Sequence, residues 1–141
     1  MAEPTSPTPE RPETSAEEPF GELTLRTLAM PADTNPNGDI FGGWLVSQMD
    51  LAAGIISKQA TKGRSVTVAI QNVSFIKPVQ VGATVSCYGR VTKRGRTSVQ
   101  IAVDVWTWHQ LTHSDGQKVA EGLFVFVAID EQGNPRPLPE S

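Results

Sequence analysis

Apolar and polar positions divide this chain into one helical stretch, one short strand and four long strands. From Trp44 to Ala60, Leu45, Met49, Ala52 and Ile56 form a stripe at helical spacing. Val46, Leu51 and Ile55 carry apolar character nearly all round, the pattern of a buried helix. Ahead of it, Leu23, Leu25 and Thr27 alternate with polar neighbours and predict a short strand. Behind it, Val66, Val68 and Ile70 alternate with Thr67, Ala69 and Gln71 as far as Lys77 and Pro78. Val85, Cys87, Gly89 and Val91 then oppose Thr84, Ser86, Tyr88 and Arg90, and Val99, Ile101, Val103 and Val105 oppose Ser98, Gln100 and Asp104. Leu123 to Ile129 is apolar on both faces, as expected of a strand that is central or covered on both sides. Turns are expected at Pro78 to Gly82, at Lys93-Arg94-Gly95-Arg96 and at Ser114 to Gly116. Short links between consecutive strands predict an antiparallel meander. Strands of a dozen residues or so, roughly 40 Å long, can curl around one helix. The expected class is α+β: a long central helix wrapped by a curved antiparallel sheet of five to six strands.

The flanks read differently. Residues 1–19 are rich in Pro, Glu, Ser and Thr and lack the apolar surface to offset ordering entropy, so a disordered tail is expected. A single domain is expected over 20–131 and an extended, proline-containing finish over 132–141. A net charge of −3 argues against nucleic acid as a main partner. One cysteine, Cys87, excludes an intramolecular disulfide and a cysteine metal cluster, and its strand position suits a small buried hydrophobe. His109 and His113 form no metal-ligand spacing, so neither metal nor cofactor is expected. No apolar run approaches the roughly 20 residues of a membrane span. The N-terminus lacks the pattern of a secretory signal. A cytoplasmic protein with no membrane partner is the expectation.

The candidate chemistry lies in Asn35-Pro-Asn-Gly-Asp-Ile-Phe-Gly-Gly-Trp-Leu-Val-Ser-Gln-Met-Asp50. Turn-forming Asn35, Pro36, Asn37 and Gly38 lead into Gly42 and Gly43, which allow close approach to the start of the helix. Asp50 sits inside the apolar helix with Val46, Ser47, Ala53 and Gly54 three and four residues away, so no helical neighbour can pair with it. A carboxylate placed there needs a partner or a task. The backbone N–H groups around Gly42, Gly43 and Trp44 carry the positive end of the helix and suit a developing oxyanion. Asp39 can cap the helix or neighbouring loop amides. Asn72 and Ser74 interrupt the row of Val68 and Ile70, taken as core-facing, and are candidates to line a substrate channel. Trp106 and Trp108 share a strand face and are expected to pack under a subunit or the sheet edge.

GDIFGGWLVSQMD, with the preceding LRTLAMPADTNPN and the later SFIKPVQVG, resembles acyl-CoA thioesterases of the hotdog fold, nearest the bacterial YciA type. The resemblance spans roughly Gly21 to Pro139 and implies hydrolysis of acyl-CoA to free acid and coenzyme A. It transfers the role of general base or nucleophile to Asp50 and implies that the loop of Asn37 and Asp39 helps to position the thioester. It strengthens the case that Lys93, Arg94, Arg96, Thr97 and Ser98 hold the phosphates of coenzyme A, a task suited to bidentate arginines and hydroxyl donors. Lys58, Lys62 and Arg64 form a second basic group. Acyl chain length is expected to depend on Met49, Ile56, Phe75 and Trp106. A homo-oligomer is implied, with a dimer as the minimum and a trimer of dimers as the full assembly. A hotdog hydratase would use a histidine, and the helix contains none; a non-catalytic acyl-CoA-binding protein would have no use for the helix acid.

Overall fold

The computed structural model describes residues 18–108 and 116–140. Strand β1 (Glu22–Leu28) leads through a 3-10 turn at Pro31–Asp33 to helix α1 (Gly42–Thr61); β2 (Ser65–Phe75), β3 (Thr84–Arg94), β4 (Ser98–Trp108) and β5 (Gln117–Ala128) follow. The helix starts two residues earlier than its apolar pattern suggests and ends at Lys62, whose φ of 56° breaks the helical repeat.

All strand pairs are antiparallel, and the spatial order is β1-β3-β4-β5-β2. This corrects the meander. The Pro78–Gly82 link does not close a hairpin. It passes the start of α1, where Ile40 N–H donates to the Val79 carbonyl and Gly82 N–H to that of Ala29, and so carries the chain from one side of the sheet toward the other. Strand β5, apolar on both faces, is interior, between β4 and β2.

The core lies between one face of α1 and the concave face of the sheet. Leu45, Met49, Ala52, Ala53 and Ile56 meet Val85, Cys87, Val99, Ile101, Val103, Phe124 and Phe126. Gly89 makes room for the Ile56 side chain, since a Cβ there would lie 2.5 Å from Ile56 Cδ1 and that methyl would have to move. Cys87 is fully buried, and burial pushes its thiol up to about 12.

The expected all-round burial of α1 does not hold within one chain. Leu51 and Ile55 are 57% and 43% exposed. On the free edge strand β2, Val66, Val68 and Ile70 are also exposed. The sheet covers one face of the helix along its length, and the uncovered stripe lies on the outside of the protomer.

Candidate active site at the helix start and the open sheet edge

Asn35 organises the loop before α1. Its side-chain oxygen accepts from the N–H groups of Asn37 (2.8 Å) and Asp39 (3.1 Å), while its own N–H donates to the Asp39 carbonyl at 2.7 Å. Gly38, at φ +87°, supplies the left-handed residue the turn requires. The sequence marked Asn35 only as a turn former; its side chain is the scaffold of the loop. Asn37 is exposed and enters through its backbone. Asp39 does not cap the helix, because the N-cap position falls two residues later, at Phe41. Its carboxylate instead accepts from Gln80 Nε2 at 3.2 Å, tying the loop to the β2–β3 link.

Phe41 offers no side-chain cap, so the first amides of α1 stay open. Gly42 and Gly43 N–H have no acceptor among the described residues. The Trp44 N–H, expected to be free as well, donates to the Phe41 carbonyl at 3.1 Å. Two aromatic rings explain the two glycines. A Cβ on Gly42 would lie 3.0 Å from Phe75, and one on Gly43 would lie 3.2 Å from Phe41. Gly42, Ile40, Leu45, Phe75 and Val79 also line an open groove of about 400 Å³, together with the polar Asn35, Asp39 and Lys77.

Asp50 is half-buried and faces β2, where Thr67 Oγ1 donates to its Oδ1 at 2.7 Å. No ion pair reaches it among the described residues. The hydroxyl fixes the carboxylate without neutralising it. Thr67 was missed, since nothing in a threonine of an alternating strand marks it as facing a helix acid. Along α1, Asp50 lies eight residues beyond Gly42, roughly 12 Å at 1.5 Å per residue.

The remaining candidates scatter. The row containing Val68, Ile70, Asn72 and Ser74 does not stay core-facing, because register shifts occur between Thr67 and Ala69 and between Gln71 and Ser74. Ser74 pairs with Glu121, away from the helix face, and Asn72, at φ 55°, lines an outer groove with Arg90, Asp104 and Glu121. Arg94, Arg96, Thr97 and Ser98 form the β3–β4 tip as expected, but the C-terminal segment also uses that tip. Arg94 Nη2 donates to the Pro139 carbonyl at 2.8 Å, and Leu138 N–H donates to that of Arg96 at 2.9 Å. The two basic groups converge at one end of the molecule, for Thr97 bonds Ala128, which pairs with Ser65 beside Arg64. Arg136, which carried no sequence signal, holds this end together through the carbonyls of Ile129, Thr61 and Arg64. Trp106 pairs with Lys118 on the outer face, remote from the core-facing Met49, and stacks on Trp108 with centroids 6.0 Å apart. His109 and His113 lie outside the described residues, as does most of the expected Ser114–Gly116 turn. Among the described residues no group of His, Cys, Asp and Glu is placed to hold a metal, and no helix is long and apolar enough to cross a membrane.

Among the described residues, one long helix cradled by a five-stranded antiparallel sheet is the hotdog fold. Residues 37–112 match the Thioesterase superfamily, and the chain belongs to that family. It is 54% identical over 123 residues to the acyl-CoA thioester hydrolase YciA of Salmonella typhimurium, covering 86% of this chain and 92% of that one. Among solved structures it is similar to a hexameric thioesterase from Yersinia pestis, at 50% identity and a TM-score of 0.81, covering 87% of this chain and 99% of that one. A hexameric hotdog-fold thioesterase of Campylobacter jejuni superposes with a TM-score of 0.78 at 36% identity, covering 84% and 91%.

Proposed function

We propose that this protein hydrolyses acyl-CoA thioesters to the free acid and coenzyme A. The observation that carries the reading is the pairing of two unfinished features: a carboxylate oriented by Thr67 with no basic partner among the described residues, and two open amides, the first of them on a largely apolar groove. The N–H groups of Gly42 and Gly43 donate to the thioester carbonyl oxygen and stabilise the charge that forms on it. The Asp50 carboxylate either takes a proton from the attacking water or attacks the carbonyl carbon itself, giving an acyl-aspartyl anhydride that water opens. In both routes the tetrahedral intermediate collapses with departure of the coenzyme A thiolate.

Roughly 12 Å of helix separates Asp50 from Gly42, too far for both to act on one carbonyl within one chain. The site is therefore shared. Asp50 of one copy meets the Gly42–Gly43 turn of another, brought together by pairing at the free β2 edge, where exposed Val66, Val68 and Ile70 flank Leu51 and Ile55 of the helix. The dimer is the minimum unit and three dimers form the full assembly, in keeping with the hexameric neighbours. The hairpin-tip arginines, with Lys58, Lys62 and Arg64 at the same end, receive the phosphates of coenzyme A.

Thiol release from acetyl-CoA and butyryl-CoA by the purified protein, read alongside light scattering at the same concentration, tests both parts. Release of coenzyme A by a dimer or larger species is expected. Full activity at the mass of one chain would overturn the shared site, and no release from either substrate would overturn the activity.

A further inference from the structure

The groove beside Gly42 is lined by the buried Ile40, Leu45 and Val79 together with Phe75, Ile76 and Pro78, and by three polar side chains, Asn35, Asp39 and Lys77. At about 400 Å³ it falls within the roughly 300–1,000 Å³ typical of small-molecule sites. It opens beside Gly42, the first of the two free amides, so a thioester whose carbonyl oxygen reaches that amide leaves one substituent of its carbonyl carbon facing this groove. Apolar walls suit a hydrocarbon and offer little to the amide-rich arm of coenzyme A. Phe75 is the gate to this space. Its ring lies against the Gly42 Cα, beside the carbonyl position, yet the residue is 53% exposed, so its placement owes little to core packing.

We propose that Phe75 is a specificity-determining residue that selects acyl groups by their bulk at the carbon next to the thioester carbonyl, with the Ile40–Leu45–Val79 groove holding the rest of the acyl chain. The inference rests on the thioesterase reading above and deepens it. A ring at that point tolerates a linear chain and clashes with a branch. Branching, rather than total carbon count, is what it reads.

The test compares butyryl-CoA with isobutyryl-CoA, which have the same atoms and differ only in the branch. In Phe75→Ala the ratio of kcat/KM for the branched over the linear substrate should rise by about tenfold or more, the discrimination typical of one methylene in an apolar pocket. In Phe75→Trp it should fall below that of the unaltered enzyme. Butyryl N-acetylcysteamine thioester, which lacks the nucleotide and most of the pantetheine arm, provides the contrast. Should both variants leave the isomer ratio unchanged while altering the preference for coenzyme A over the short thiol, Phe75 lines the thiol arm and the proposal fails. An unchanged isomer ratio with no other effect also overturns it. Absence of hydrolysis by the unaltered enzyme would remove the activity itself, an outcome distinct from an unchanged ratio in an active one.

Discussion

At the C-terminal end of α1, Arg136 takes the Thr61 carbonyl and reaches on to those of Ile129 and Arg64, whereas at the N-terminal end the Gly42 and Gly43 amides find no acceptor among the described residues. Both ends begin with the same problem, a turn of unpaired backbone groups. At one, the last helical carbonyl is taken by a guanidinium borrowed from 75 residues away along the chain. The other is held open, although Asp39 stands close enough in sequence to have served as a cap. The loop side chains that could have closed it are engaged elsewhere: Asn35 on loop amides and Asp39 on Gln80. A polar end that the fold satisfies is architecture, and one left open beside an apolar groove is available to a substrate.

That contrast predicts opposite consequences for substitutions near the two ends. The largest effect is expected at the acid. Asp50→Asn keeps shape and the Thr67 hydrogen bond while removing the base, so turnover should fall by at least about 10²-fold with coenzyme A binding retained. Thr67→Val should lower turnover by about tenfold, the smaller loss reflecting a carboxylate present but no longer oriented. Near-normal turnover in Asp50→Asn, measured by thiol release, would remove Asp50 from the chemistry.

At the closed end the readout is stability. Arg136→Ala takes a charged donor from the Thr61 and Ile129 carbonyls, while that of Arg64 keeps the Ile129 N–H, and should cost about 2 kcal/mol, given the worth of hydrogen bonds from charged donors. Thermal denaturation should show this while kcat in the cold stays near that of the parent. A kcat loss without a stability loss would place Arg136 in the site and blur the comparison.

Smaller still is the effect of neutralising Arg94 and Arg96 together. The Michaelis constant for acyl-CoA should rise more than kcat falls, because contacts remote from the carbonyl bind ground and transition states alike. The difference should shrink in high salt. Normal coenzyme A binding at low salt would transfer the phosphates to Lys58, Lys62 and Arg64. Deleting residues 1–17 should change neither melting temperature nor turnover, since the segment has little apolar surface with which to dock. A large drop in either would show that it is engaged.

The sequence determined by itself everything that depends on local pattern. The helix follows from 3.6-residue periodicity, the strands from alternation, the loop from Asn, Pro and Gly, and the burial of Cys87 from its place in an alternating row. The diglycine and Asp50 were legible because a polar group in an apolar helix and a pair of glycines at its start are local anomalies. Tertiary structure decided what depends on which distant residues meet. The strand order puts β2 beside β5, although it precedes β3 in the chain, because the Pro78–Gly82 link runs past the helix start. Two register shifts in β2 altered the faces that strict alternation assigned to Asn72 and Ser74. Thr67 became the partner of Asp50, and Arg136 the clamp on Thr61, through contacts 17 and 75 residues apart. The spacing of residues on one element is fixed by the backbone repeat and can be read along the chain. A hydrogen bond between elements is fixed by how they are laid together, and only the packed molecule reveals it.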